Sequence, residues 1–163
     1  MYDTRYYESL QRSTSTDFKI NKYVTNSATI DLSASTSDEL SVSYGTAYRA
    51  SYCSANWIVY RLTDIMLMKA EALVQLAVDR ENGKDPKLSE AFKLVNAVNL
   101  RSNCDKNKVA VLDSTLYTTK STMNNLVMAE RQRELMFEGK RWFDLVRRAR
   151  REGNTDYLVE QVK

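Results

Sequence analysis

Two glutamates, Glu130 and Glu134, are the side chains of this sequence with the clearest potential for chemistry. They stand one helical turn apart, so their carboxyl groups can approach the separation of roughly 5–5.5 Å found between the two carboxylates of a retaining glycosidase. Met123, Leu126 and Val127 share their helical stripe, which turns both carboxylates towards the core. A buried carboxylate is costly unless it is paired and hydrogen-bonded, so both glutamates need partners.

An ion-pair network is the alternative to catalysis at these glutamates. Neighbouring arginines lower the pKa of a carboxyl group, whereas the acid of a glycosidase pair needs its pKa raised. We therefore expect the charged residues to lock a third helix to a fourth. The predicted network consists of Glu130, Arg131, Arg133, Glu134, Glu138, Arg141 and Asp144.

Composition excludes several other classes of function. The sequence has no histidine, which removes Ser-His-Asp and Cys-His nucleophiles and the commonest catalytic zinc sites. Cys53 and Cys104 fit neither a zinc site nor a Cys-x-x-Cys redox pair. The 24 basic and 21 acidic residues leave a net charge of +3, too balanced for a dedicated nucleic-acid binder. We expect no enzyme activity, no metal, no cofactor and no nucleic-acid partner.

The elements that position these residues change character near residue 60. Residues 1–60 hold eight of the ten tyrosines and show no helical period, so we predict loops with short strands at 19–24 and 42–44. From Arg61 onward a helical stripe predicts a first helix, and Ser89 is the predicted N-cap of a second helix. Together the two helices form a predicted α-hairpin over 61–101. The stripe of the first helix contains Leu62, Ile65, Met66, Ala70, Leu73, Val74 and Ala77.

A second predicted α-hairpin occupies 121–151. Its first helix runs from about Thr122 to Glu138 and ends at Gly139, a residue suited to a left-handed C-cap. In its second helix we expect Trp142, Leu145, Val146 and Ala149 to face the core, and residues 152–163 to form a tail. We expect a basic group to form a solvated face instead: Arg147, Arg148, Arg150 and Arg151.

These patterns predict a mainly α fold of tetratricopeptide-like stacked helix pairs with an irregular, loop-rich N-terminal segment. Solenoids of this kind usually need three or more units, and only two are visible, so we expect the chain to be part of a longer protein. The first residues carry no secretory signal, so we expect any export signal to lie upstream.

Three stretches resemble the SusD/RagB proteins, which bind nutrients at the outer membrane. The run from Glu130 to Leu145 is similar to a signature near the C-terminal end of that family, and Tyr60 to Leu73 resembles its helix ending in Ala-Glu-Ala-Leu. The stretch from Leu94 to Arg101 resembles its Leu-Asn-x-Val-Arg helix, with Val95 and Asn99 as departures. Two shorter motifs are also similar to that family: Asp3-Thr4-Arg5 resembles its Asp-x-Arg motif, and Lys22-Tyr23 resembles its Lys-Tyr pair.

The resemblance implies a non-catalytic glycan-binding lipoprotein on the cell surface. Its implied partners are an oligosaccharide or polysaccharide and a TonB-dependent, SusC-like transporter barrel. It also implies a tetratricopeptide-like fold and a lipid anchor outside this chain, since neither Cys53 nor Cys104 is placed to be the lipidated residue.

Aromatic side chains provide the candidate ligand site that this resemblance implies. A flat ring can cover the C–H face of a sugar at a small cost in conformational entropy. Four such residues fall within fourteen positions of a loop-like stretch: Tyr44, Tyr48, Tyr52 and Trp57. The alternative is that these rings cover the helices beneath a polar loop. Two other functions also remain open, a tetratricopeptide-like scaffold for a protein partner and a glycoside hydrolase that uses the glutamates.

Overall fold

The structure is a computed structural model that describes residues 3–12, 17–23, 28–31, 33, 41–44, 58–81, 83–103 and 111–162. Within these residues the fold is mainly α, as predicted, with six α-helices and two small antiparallel sheets. The helices are α1 Thr4–Ser9, α2 Leu62–Leu76, α3 Pro86–Arg101, α4 Lys120–Glu134, α5 Arg141–Glu152 and α6 Asp156–Val162. The strands are β1 Leu10–Arg12, β2 Phe18–Ile20, β3 Ala28–Asp31 and β4 Ser41–Tyr44.

Helices α2 and α3 form an α-hairpin, and α4 packs against both of them. The core therefore lies among three helices, and it is built from small and branched apolar side chains that allow close approach. Leu62 and Ile65 do not belong to it, although the helical stripe predicted them there, because they are 74% and 49% exposed on the outer face of α2. The buried members are Leu67, Ala70, Val74, Ala77, Leu88, Ala91, Val95, Val98, Met123, Leu126 and Val127.

The N-cap of α3 lies four residues before Ser89, the residue predicted for that position. Asp85 is the N-cap, and its Oδ1 accepts a hydrogen bond of 2.8 Å from the Lys87 backbone N–H. Pro86 occupies the first turn, where a missing N–H has no cost. The other carboxylate oxygen of Asp85 accepts from the Val78 N–H at 3.2 Å, which ties the end of α2 to the beginning of α3.

Helix α4 begins with a capping box between Thr119 and Thr122 and ends at Glu134, four residues before the predicted end. The next residues form a turn in which Phe137 and Gly139 have φ values of 64° and 71°. Side chains from elsewhere bind the carbonyl groups at this end: Arg61 donates to the Glu134 oxygen at 2.6 Å. Lys22 donates in the same way to the carbonyl oxygen of Met136, at 2.8 Å, so the carbonyls of the turn have partners without a continuing helix.

Helix α5 presents a different face to the protein from the one its apolar stripe predicts. Trp142 is 55% exposed, so its predicted place in the core is wrong. Asp144, Leu145 and Arg148 are buried instead, a set at i, i+1 and i+4 that is rotated away from the indole. Part of the predicted tail forms α6, and the Tyr157 ring lies 3.7 Å from the Arg148 guanidinium carbon. The burial of Arg148 corrects its predicted place on a solvated face.

The N-terminal segment contains a short helix as well as strands. Asp3 caps α1 by accepting from the Arg5 N–H at 3.0 Å, and the Thr4 N–H donates to the Ser102 carbonyl at 2.8 Å. Strands β1 and β2 pair with Leu10 opposite Ile20. Strands β3 and β4 form the second sheet, and β4 includes the predicted 42–44 strand. The 19–24 strand ends early, at Ile20, because Tyr23 adopts φ 68°.

Candidate functional site

Glu130 is fully buried on α4, at 0% exposure, and it is surrounded by donors from three parts of the chain. Its Oε1 accepts from Arg5 Nη1 at 2.6 Å, and its Oε2 accepts from Arg133 Nη2 at 2.5 Å. Asn99 of α3 donates to Oε2 at 3.2 Å. Glu130 therefore connects the N-terminal helix α1, α3 and its own helix.

Glu134 lies one turn further along α4 and accepts from three arginines. Its Oε1 receives Arg61 Nη1 at 2.5 Å and Arg101 Nη2 at 2.6 Å. Its Oε2 receives Arg5 Nη1 at 3.1 Å. The same nitrogen of Arg5 also binds Glu130, so a cation lies between the two carboxylates.

The electrostatic surroundings of Glu134 oppose acid catalysis. Burial raises the pKa of its carboxyl group, but the hydrogen bonds from Arg61 and Arg101 outweigh burial and lower the pKa to about 2. A glycosidase acid must hold its proton near neutral pH, which requires a raised pKa. Glu134 is therefore a charged partner of arginines at neutral pH.

Glu138 lies in the turn after α4 and joins that turn to two other segments. Lys22 Nζ and Arg61 Nη2 each bind its Oε1 at 2.7 Å. Arg61 thus contacts both Glu134 and Glu138, and burial lowers its pKa less than its bonds to these two carboxylates raise it. The guanidinium group remains charged.

A second buried group centres on Arg131. Its Nη1 binds Asp64 Oδ1 of α2 at 3.0 Å, and its Nε and Nη2 bind the two oxygens of Asp144 of α5 at 2.9 and 3.0 Å. The side chains of all three residues are at most 3% exposed. Such a forked pair fixes distance and orientation together, so Arg131 joins α2, α4 and α5.

Arg141 differs from the other members of the predicted network. Its Nη2 donates to Gln161 Oε1 at 2.6 Å, and its Nη1 lies 3.5 Å from the Met128 carbonyl oxygen. Among the described residues it therefore bonds to neutral oxygens and to none of the network carboxylates.

The basic cluster of α5 is not simply a solvated face. Arg147 and Arg151 bind Glu71 of α2, at 2.7 and 2.8 Å, and Arg147 also binds Asp144 at 2.8 Å. Burial raises the pKa of Glu71, but the bonds from these two arginines lower it overall. Two of the arginines predicted to face solvent are thus structural partners of a buried carboxylate.

Four cations of the network were absent from the sequence-based prediction. That prediction considered arginines close to the glutamates along the chain, whereas these four come from α1, the segment before β3, the N-cap of α2 and the last turn of α3. Two of them lie in the short motifs Asp3-Thr4-Arg5 and Lys22-Tyr23. Their similarity to the SusD/RagB family was the sequence signal that could have identified these two cations. The four are Arg5, Lys22, Arg61 and Arg101.

A cavity of about 470 Å³ opens beside this network. Arg5, Arg61 and Arg101 line it together with Glu134 and Glu138. Its wall also includes apolar and hydroxyl-bearing side chains from the N-terminal segment, together with Ser102, the C-cap of α3. The Arg101 side chain is 56% exposed, so part of this cation contacts solvent.

Of the predicted aromatic ligand residues, the structure describes Tyr44 alone. It ends β4, is half-buried, and donates from its hydroxyl group to the Leu10 carbonyl at 3.3 Å. Burial, together with nearby Tyr6, raises the pKa of that hydroxyl group. Tyr48, Tyr52 and Trp57 lie outside the described residues.

Comparison with known protein families gives a match over nearly the whole chain. A profile of the SusD family matches residues 1–162. The chain belongs to the SusD family. The SusD match covers the N-terminal segment as well as the helices, so the residues that supply Arg5 and Lys22 to the network are part of it.

Two curated relatives are SusD-like proteins of Formosa agariphila (strain DSM 15362 / KCTC 12365 / LMG 23005 / KMM 3901 / M-2Alg 35-1). SusD-like protein P38 is 31% identical over 148 residues, which cover 89% of this chain and 24% of that protein. SusD-like protein P2 is 30% identical over 94 residues, 58% of this chain and 17% of that protein. The chain thus spans a quarter or less of these relatives, and no solved structure matches it.

None of the helices in the described ranges is both long enough and apolar enough to cross a bilayer. Within the same part of the chain, no three carboxylate, thiol or imidazole side chains are grouped as a metal site requires.

Proposed function

We propose that this chain belongs to a non-catalytic glycan-binding component of an outer-membrane nutrient-uptake complex. The complete protein would be lipid-anchored at the cell surface and would deliver oligosaccharide to a TonB-dependent, SusC-like transporter barrel. SusD family membership supports this proposal. The observation that carries its non-catalytic part is that buried cations engage both Glu130 and Glu134.

A glycoside hydrolase is less well supported by the same residues. A retaining enzyme needs one carboxylate free to attack the sugar and a second that holds a proton. Glu130 is 0% exposed and accepts hydrogen bonds from three side chains, and the pKa of Glu134 is about 2. Neither carboxylate has the surroundings that these two roles require.

The aromatic group Tyr44, Tyr48, Tyr52 and Trp57 is our proposed ligand site. Aromatic rings stack on sugars through their faces, and the four residues lie within one short stretch of the chain. At the described end of this stretch, the Tyr44 hydroxyl donates to the Leu10 carbonyl in the strand that follows α1. At the other end, Trp57 precedes Arg61 by four positions in the sequence.

Isothermal titration against a glycan panel tests the proposal. We expect saturable heat with at least one oligosaccharide, and weaker binding after Trp57→Ala. Phe18→Ala is the control, because Phe18 is a 51% exposed aromatic residue of β2 outside the proposed site. Binding that survives the loss of Trp57 and of all three tyrosines would reject these residues as the site. Glycan that is shortened by the wild type but left intact by Glu134→Gln would reject the non-catalytic function.

A tetratricopeptide-like scaffold is the second candidate, and one observation favours it. The outer face of α2 carries the exposed apolar residues Leu62, Ile65, Ala72 and Leu76, at successive spacings of three, seven and four residues, with the exposed Lys69 among them. A helix that is apolar on two faces usually packs on both. We propose that the pairs 61–101 and 121–151 stack as tetratricopeptide-like units and that a further helix covers this face. Absence of glycan binding, together with binding of a helical partner that Leu62→Glu abolishes, would favour the scaffold.

A further inference from the structure

A second cleft lies between the residues before α2 and the first turn of α5, and it shares Glu138 with the first cavity. Its volume is about 460 Å³, within the range of about 300–1,000 Å³ that is usual for small-ligand sites. Tyr60 and Phe143 line it, and they are 65% and 67% exposed. Two aromatic rings thus border one cleft while most of their surface remains uncovered.

A lysine contacts the Tyr60 ring, which lines one side of the cleft. Lys140 Nζ lies 4.5 Å from the centre of the Tyr60 ring and donates to the Val59 carbonyl oxygen at 2.5 Å. The same nitrogen is 3.4 Å from Asp64 Oδ2. A ring held in this way loses little conformational freedom when a ligand stacks on it, which favours binding.

The floor of the cleft is charged but balanced. Arg131 binds Asp64 and Asp144 there, and all three residues are buried. Counting every lining residue, three carboxylates face three cations: Asp64, Glu138 and Asp144 against Arg131, Lys140 and Arg147. A cleft without excess charge favours a neutral ligand over an anionic one.

Arg147 also lines the cleft and can donate hydrogen bonds. Arg147 uses its Nε and Nη2 for Glu71 and Asp144, so among the bonds of the described residues its Nη1 is not engaged. Its side chain is 43% exposed at the rim. A purely apolar ligand would cover such a donor without a hydrogen bond, which carries a cost. The ligand must therefore combine an apolar face with oxygen acceptors.

We propose that this cleft binds one ring of a neutral saccharide, stacked against Phe143 and Tyr60 with a hydroxyl oxygen accepting from Arg147. The proposal rests on the proposed glycan-binding function and adds a subsite built from residues other than Tyr44, Tyr48, Tyr52 and Trp57.

The test compares titrations of neutral gluco-, galacto-, manno- and xylo-oligosaccharides with those of sulfated and uronate-containing ones. Phe143→Ala and Tyr60→Ala should each weaken binding of a neutral oligosaccharide by about tenfold, the loss expected for one stacked ring. Trp142→Ala is the matched control: Trp142 immediately precedes Phe143 on α5 and is similarly exposed, and it does not line the cleft. Circular dichroism confirms that each variant is folded.

Ring resonances give a second readout that needs no variant. With ¹³C-labelled tyrosine and phenylalanine, the Phe143 and Tyr60 signals should shift on addition of the bound oligosaccharide. Binding by the wild type that neither variant weakens, or a preference for anionic glycans, would overturn the subsite while the proposed function stands. No binding by the wild type to any glycan of the panel would overturn both.

Discussion

Replacement of Glu134 by alanine tests the strength of the buried network at the point where most cations meet. The Glu134 side chain is 1% exposed and accepts from Arg5, Arg61 and Arg101. After the Glu134 carboxylate is removed, two of these arginines still have carboxylate partners. Arg5 keeps Asp3 and Glu130, Arg61 keeps Glu138, and the half-exposed Arg101 can turn to water.

Two estimates give a similar magnitude for this change. Breaking a buried ion pair costs about 3–5 kcal/mol, and the partners that remain place Glu134→Ala near the lower end. Independently, a pKa of about 2 in the folded protein against 4.5 in the unfolded chain corresponds to about 3 kcal/mol at neutral pH. We therefore expect a loss of about 3 kcal/mol, or a melting temperature lower by about 6–12 °C.

Urea unfolding and thermal melts at pH 7 measure this loss. The matched control is Glu90→Ala on α3, which also removes a glutamate from an ion pair, here with Lys69 at 2.8 Å. Both side chains of that pair are at least half exposed, so the control should lose less than about 1 kcal/mol. Equal losses in the two variants would refute a buried, stabilising network.

Three further predictions concern pH, packing and capping. Because the pKa of Glu134 is lower in the folded protein, the unfolded chain takes up its proton first, so stability should fall as pH drops from about 4.5 towards 2. Glu134→Gln should flatten that part of a urea-midpoint profile. Leu67→Ala, at 0% exposure, should cost about 2–5 kcal/mol in urea, and the 64% exposed Leu116→Ala under about 0.5. Thr119→Ala should cost about 1 kcal/mol, measured by circular dichroism melts.

The sequence predicted the helices well where burial follows a clear period. The hairpin of α2 and α3 and the buried set Ala70, Val74 and Ala77 came from the 3.6-residue repeat. The repeat gave the wrong face for Leu62 and Ile65, because α2 is apolar on two sides and periodicity cannot tell which side is covered.

Charge was harder to place than apolar burial. Glu130 and Glu134 were predicted to lie inside on the basis of their stripe, and both are buried. Their partners Arg5, Arg61 and Arg101 are 33 to 129 residues away along the chain, a range that helical spacing does not address. Helix α5 shows the reverse error: its apolar pattern favoured Trp142, whereas its charged pairs with Arg131 and Glu71 set the face that is buried.

Carboxylates of α4 bind the N-terminal helix α1 rather than a substrate, and a double-mutant cycle between Arg5 and Glu130 tests this most directly. Arg5 Nη1 and Glu130 Oε1 are 2.6 Å apart. Urea unfolding of the wild type, Arg5→Met, Glu130→Gln and the double variant should give a coupling energy of about 2 kcal/mol. Effects that add to within about 0.5 kcal/mol would contradict the claim.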